Sequence, residues 1–365
     1  MQEQQEKDKT MLNRIIFLPP SESSYTALSF PGELCVLLPN ETEQENEQES
    51  KNEKYIPIVA LAVEQKGSRC VLLFLHGNAS DIGQNHAFLE RLRDACQVNV
   101  VAVEYPGYGL YRSYETPSEV ALFARTLKAF DSIVSQETVD AIVLVGYSLG
   151  STAACEIAHK RRSHPKLKGV VLLSPFASVH DLIRDLTSHN FNPYIAAGLK
   201  RLIPNSHFPN QESIKAVPVP ILVIHGSADE IIPVRHAHRL ALAAPDARLV
   251  IVANMKHDIN APQFEPLVLN HVSNHLRFVH NNHHHPNRNL FPKAWYEVTR
   301  NFVYIQPKQI IMIKNRNQWL LVLLCAILGV FIARRYYYLH KRVTRGFRPR
   351  KPRLLGSTTR RRIMK

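Results

Sequence analysis

Cysteine is scarce in this chain, and none of it is paired by spacing. The five cysteines (Cys35, Cys70, Cys96, Cys155, Cys325) are an odd number among 365 residues, with no CxxC pair. That excludes a disulfide framework or a cysteine zinc site as the organising principle and makes a reducing compartment the simpler expectation. No secretory signal is expected from the first residues. The first apolar run, Ile15 to Pro20, is too short and follows a polar, mixed-charge stretch. There is no internal repeat, and no uncharged apolar run reaches the roughly 20 residues of an ordinary membrane-spanning helix. Acidic residues almost vanish after residue 280: residues 281–365 hold 19 Lys and Arg against one acid, Glu297, a net +18. Residues 1–280 hold 26 against 30, a net −4. The overall +14 is therefore a property of the tail, and a nucleic-acid-binding core is not expected.

What is present is a globular composition, 45% hydrophobic and 21% charged, which excludes a fibrous or wholly disordered chain. Residues 1–54 read as a lead-in ending in an acidic polar linker, ETEQENEQESKNEK over 41–54. From there to residue 280 short β-branched runs alternate with helical stretches. The runs are Tyr55–Glu64, Cys70–Leu75, Val98–Val103, Ala141–Val145, Val170–Leu173, Ile221–Ile224 and Arg248–Val252. Several are apolar on both faces, as strands of a covered parallel sheet are. Between them, Gln84–Cys96, Ser118–Val134, Ser151–Arg162, Val234–Ala243 and Glu265–His280 suit helices. The alternation predicts an α/β fold with a mainly parallel sheet and helices on both faces. Ala177 to Val219 breaks the rhythm with 43 residues, too long for an ordinary connection. It is expected to form a small cap, with helices at Asp181–Leu186 and Tyr194–Leu202.

The sharpest chemical signal is Gly146-Tyr147-Ser148-Leu149-Gly150, placed between a strand and a helix. This is a nucleophile elbow in the context it requires. Gly146 and Gly150 allow a tight turn, which lifts the Ser148 hydroxyl to a helix N-terminus where developing negative charge is favoured. A serine hydroxyl needs a base and an orienting acid, and in this arrangement they follow in the order acid, then histidine. Asp229 follows the strand Ile221–Ile224, and His257 follows the next strand. Glu230 is the alternative acid; Asp258 adjoins His257 but cannot easily reach its Nδ1. Asp229 could instead cap the helix before Val234. With 18 histidines in the chain, a lone one is weak evidence. His76 and His225 each precede a glycine and read as turn-packing residues, and His283–His285 as a polar linker run.

The strand before His76-Gly77-Asn78-Ala79 leads into a loop suited to the second half of an oxyanion hole. The backbone N–H of Asn78 is expected to pair with that of Leu149, a few kcal/mol of transition-state stabilisation; the other reading of Asn78 is a helix cap. Tyr105-Pro106-Gly107-Tyr108-Gly109 reads as a glycine turn that helps to place this loop. No metal and no organic cofactor are expected.

These motifs resemble the α/β-hydrolase domain-containing proteins, serine hydrolases of lipid-like esters. The likeness covers roughly residues 55–280. It rests on FLHGNASDIGQ from Phe74, YPGYG from Tyr105, GYSLG, Ser174-Pro175-Phe176, HGSADEIIP from His225 and His257-Asp258-Ile259, with Leu18-Pro19-Pro20 as a similar lead-in. The nearest branch is that of the protein depalmitoylases (acyl-protein thioesterases). The resemblance implies an α/β-hydrolase fold, Ser148, Asp229 and His257 as a triad, and Asn78 and Leu149 as oxyanion donors. The chain departs from that branch at Tyr147 and Leu149, where Gln and Ile are usual. It departs again at Asn254-Met255-Lys256, where the approach to the histidine is usually glycine-rich. That branch has a cysteine-rich N-terminus, whereas residues 1–50 here hold only Cys35. Related branches cleave monoacylglycerols or lysophospholipids.

Beyond a polar, basic linker at 281–318, Trp319–Ala333 is 15 residues without a charge, followed by Arg334-Arg335-Tyr336-Tyr337-Tyr338. Residues 334–365 carry 13 Lys and Arg and no acid. A short transmembrane anchor, an interfacial helix with its tail on anionic lipid, and a basic tail with another role compete. The sum is a membrane-associated serine hydrolase of acyl thioesters or esters, expected at the cytoplasmic face. Its partners would be an acylated protein or lipid ester and a membrane. The other classes are a non-catalytic membrane scaffold on this fold, or a hydrolase of different reaction such as a peptidase.

Overall fold

Strands that are apolar on both faces must be covered on both faces. The computed structural model describes residues 13–14, 16–37, 58–113, 115–188, 207–279 and 295–297. All lie within one unit, Met1–Pro307. The strands are β1 (Leu34–Leu37), β2 (Ile58–Val63), β3 (Cys70–Leu75), β4 (Asn99–Val103), β5 (Ala141–Tyr147), β6 (Leu167–Leu173), β7 (Ile221–Gly226), β8 (Ala247–Val252) and β9 (Trp295–Glu297). Every residue of β2, β3, β4 and β7 is buried.

The sheet runs β8-β7-β6-β5-β3-β4-β2-β1-β9. Neighbours from β8 to β4 are parallel, and β2 is antiparallel to both β4 and β1. Alternate residues of β3 feed two separate cores: Val71, Leu73 and Leu75 enter one, Cys70, Leu72 and Phe74 the other. On the first face pack α2 (Glu119–Val134), α3 (Gly150–Lys160) and α6 (Arg235–Ala243), through Phe130, Ile157 and Leu240. On the second pack α1 (Ile82–Cys96) and α7 (Glu265–Val279), through Phe88, Leu92 and Val272. Helix starts follow local chemistry. Asp81 caps α1 by accepting from Gln84 N–H at 2.9 Å, and Ser118 caps α2 by accepting from Ala121 N–H at 3.0 Å.

The predicted strands and helices are found with ends shifted by at most three residues. Two segments differ. The lead-in expected at 1–54 contributes β1, paired antiparallel with β2, and buries Phe17 and Tyr25. The stretch expected as a linker, 281–318, contains β9, paired with β1. Strands of four and three residues are too short to show a period, so only their pairing reveals them.

The expected cap helix at Asp181–Leu186 is present as α4 (Val179–Ser188); Tyr194–Leu202 lies outside the described residues. The chain returns through α5 (Asn210–Ile214), fastened to its own point of departure. Gln211 N–H donates to Ala177 O at 3.0 Å and Asn210 Nδ2 to Phe176 O at 2.8 Å. Phe208, fully buried, meets Phe17, Phe123 and Phe176 edge-on. Among the described residues no helix is long and apolar enough to cross a membrane. The hydrophobic segment 319–333, the basic tail 334–365 and His283–His285 lie outside them.

Two core histidines make folding sensitive to mild acid. Burial pushes His236 and His275 down to about 4 from an ordinary 6.5. His236 Nδ1 accepts from Ala177 N–H at 3.1 Å, which requires an unprotonated nitrogen. The unfolded chain binds these protons first, so their contribution is complete above about pH 6.5 and falls as pH drops towards 4. Urea unfolding between pH 7 and 4 is expected to show this decline. His236→Gln combined with His275→Gln is expected to flatten it; equal slopes for the two proteins would refute the assignment.

Candidate active site

The C-terminal ends of β3, β5, β7 and β8 meet on one rim, where an open α/β sheet builds its site. Ser148 sits between β5 and α3 with φ 51°, in the left-handed region. The turn is possible because two glycines let backbones touch. A Cβ on Gly146 would lie 2.6 Å from Gly150 O, and one on Gly150 would lie 1.9 Å from Leu75 O. Leu149 N–H stands at the start of α3, among the first donors of a helix, which have no intrahelical acceptor.

Three residues far apart in sequence form a continuous hydrogen-bonded row. Ser148 Oγ lies 3.0 Å from His257 Nε2, and His257 Nδ1 lies 2.7 Å from Asp229 Oδ2. An ionised carboxylate can only accept, so Nδ1 carries the proton and Nε2 is free to accept from the serine hydroxyl. Asp229 is fixed from behind: its Oδ1 accepts from Ile231 N–H at 2.9 Å and Ile232 N–H at 2.8 Å. It is not the cap of α6, whose first turn follows Val234. His225 Nε2 stands 2.8 Å from Ile232 O and 3.2 Å from Asp229 Oδ2; both are acceptors, so it is an N–H. Burial opposes the Asp229 charge. Hydrogen bonds from His225, His257 and Ile232 N–H and the His257 charge outweigh it, holding the carboxyl well below the usual range. Ionised Asp229 thus adds stability above the unfolded pKa of about 3.9, and that contribution is lost as pH falls through its lower folded value.

Asn78 does not cap α1, which Asp81 does. Its side chain clamps the lead-in: Nδ2 donates to Ile16 O at 2.6 Å, Oδ1 accepts from Leu18 N–H at 2.9 Å, and Tyr108 OH donates to Oδ1 at 2.6 Å. Tyr105 OH donates to His76 O at 2.8 Å. The YPGYG turn thus holds the His76–Ala79 loop at His76 and at Asn78.

Beneath that loop lies Glu104, fully buried. It accepts from Tyr25 OH at 2.8 Å, His76 Nε2 at 3.0 Å, Ile82 N–H at 3.2 Å and Tyr105 N–H at 3.3 Å. Burial and Glu104 push the Tyr25 hydroxyl well above its ordinary value, so it stays a donor. His76 Nδ1 faces Gly77 O at 2.9 Å. Both ring nitrogens of His76 thus lie within hydrogen-bond distance of an oxygen, Gly77 O on one side and Glu104 on the other. Glu104→Ala would strand four buried donors. Chemical unfolding is expected to show a loss of about 3–5 kcal/mol, and a loss below about 1 kcal/mol would contradict the network.

The structure thus brings Ser148, Asp229 and His257 together, and sets Asn78 and Leu149 beside them at adjacent strand ends. Glu230 is exposed and outside the row. Sequence reasoning missed Glu104, and it read His76 and His225 as turn packing when each faces a carboxylate. Each precedes or follows a strand end beside a motif, but only pairing in space exposes the role. Among the described residues no group of His, Cys, Asp and Glu could hold a metal ion.

Residues 66–217 match the family model described as serine aminopeptidase, S33. The structure superposes on Est1E of Butyrivibrio proteoclasticus with a TM-score of 0.51 at 17% identity, covering 61% of this chain and 96% of that one. The protein has an α/β-hydrolase fold. Its sequence is similar to α/β-hydrolase domain-containing proteins. It is 30% identical over 190 residues to alpha/beta hydrolase domain-containing protein 17C of Xenopus laevis, covering 50% of this chain and 53% of that protein. It is 27% identical over 198 residues to lysophosphatidylserine lipase ABHD12 of Macaca fascicularis, covering 49% and 46%. The chain thus spans about half the length of the curated relatives it matches.

Proposed function

We propose that this α/β-hydrolase-fold protein is a serine hydrolase of lipid-like acyl esters or thioesters. The observation that carries the reading is the row Ser148 Oγ–His257–Asp229 on a strained elbow. Ser148 Oγ attacks the acyl carbonyl while His257 Nε2 takes its proton. The oxyanion draws on the N–H groups of Leu149 and Asn78. His257 then protonates the departing alcohol or thiol, and a water activated by the same nitrogen releases the acid. Asp229 keeps the imidazole in the required tautomer and favours the imidazolium. No step requires a metal or cofactor.

The substrate class draws support from the relative named as a lysophosphatidylserine lipase. The apolar and basic segments at 319–365 fit an enzyme held at a membrane, where acyl chains are found. A panel of a monoacylglycerol, a lysophospholipid and an S-palmitoyl peptide, each assayed with wild type and Ser148→Ala, tests the reading. Turnover of at least one, lost in the variant, is expected. Turnover of none by a folded protein that also resists serine-reactive probes would refute it.

A further inference from the structure

The residue before the nucleophile touches all three loops of the candidate site. Tyr147 ends β5. Its hydroxyl donates to the backbone carbonyl of His257 at 3.0 Å, across 110 positions of sequence. Its ring lies 5.5 Å from the His257 ring, tilted by 31°. On another side the ring lies against Gly77, where a Cβ would come within 3.1 Å of two ring carbons. One side chain therefore belongs to the serine loop, braces the loop bearing Asn78, and bonds the loop bearing His257.

That bond answers a geometric problem. His257 follows β8, and β7 and β6 separate β8 from β5. The ring must reach over two strands to stand 3.0 Å from Ser148 Oγ. The near part of its loop is tied to β7: Ala228 N–H donates to Met255 O at 3.0 Å, and Asn254 N–H to Ser227 Oγ at 2.9 Å. Those bonds fix the loop's root, leaving its far end to be set against the serine. The Tyr147 hydroxyl joins that end to the strand that carries Ser148.

We infer that Tyr147 is a positioning residue that sets the separation of His257 and Ser148 by tethering the His257 carbonyl to the nucleophile strand. The inference rests on the reading of Ser148 and His257 as nucleophile and base. Misplacement by a fraction of an ångström to one ångström costs rate, not binding. Tyr147→Phe removes the hydroxyl and keeps the ring against Gly77.

The test is the kinetics of fluorophosphonate labelling of the full chain, resolved into the maximal rate and the half-saturating concentration. Tyr147→Phe is expected to lower the maximal rate by about 10-fold, with half-saturation and melting temperature unchanged. In a His257→Ala background, followed over longer incubation, the same substitution is expected to cost nothing further, because the tether acts only through His257. An unchanged maximal rate for Tyr147→Phe overturns the tether, as does an equal loss in both backgrounds. Failure of the wild type to label overturns the underlying reading as well, so the two failures are distinguishable.

Discussion

Ser148→Ala is expected to abolish fluorophosphonate labelling and to lower turnover of any substrate by about 10⁶-fold, to the residual provided by binding and the oxyanion donors. The size follows from the geometry. Ser148 Oγ is the atom His257 Nε2 faces at 3.0 Å, and removing it leaves base and acid with nothing to activate. The fold should be untouched, because alanine also avoids added bulk at a position with φ 51°. Labelling in a gel, with circular dichroism to verify folding, decides the matter. Labelling that survives in the variant would place the reactive serine elsewhere and remove the basis of the proposed mechanism.

Asp229→Asn is expected to lower kcat by about 10⁴-fold, and the surroundings explain why the amide cannot turn to rescue itself. Ile231 and Ile232 N–H groups need an acceptor at the Oδ1 position, so the amide oxygen goes there. The NH₂ group then faces His257 Nδ1 and the His225 Nε2–H. The first contact drives the proton of His257 to Nε2, where it meets the serine hydroxyl as a competing donor. The second sets two donors against each other in a buried site. A loss under about 10-fold at neutral pH would show that Asp229 does not govern the tautomer. The variant should also lose the low-pH contribution of the ionised carboxylate, so its unfolding free energy should vary less below about pH 4.

Much of the fold was legible along the chain because its central strands are buried on both faces and two of its helices, α1 and α2, are capped by adjacent side chains. Runs such as Cys70–Leu75 and Ile221–Ile224 declare a covered parallel sheet, and the glycines around Ser148 declare a turn that no larger residue fits. The strands β1 and β9 were not legible. They hold four and three residues, and their existence depends on partners distant in sequence. The buried polar groups were hidden for a similar reason. Glu104 is one acid among 31 until β4 delivers it beneath the His76–Ala79 loop. Asn78 resembles a cap until Ile16 and Leu18 are seen to hold its amide.

By itself, the sequence determined the alternation of strands and helices, the elbow at Gly146–Gly150, and the order in which serine, acid and histidine follow. These are local properties, set by side-chain period, by glycine at points of close approach, and by the direction of a parallel sheet. Only the tertiary structure decided which of 18 histidines faces Ser148, that Asp229 rather than Glu230 faces His257, and that Tyr147 reaches the His257 carbonyl. Each is a contact between loops on different strands. A hydrogen bond depends on tenths of an ångström, and no spacing along the chain encodes that.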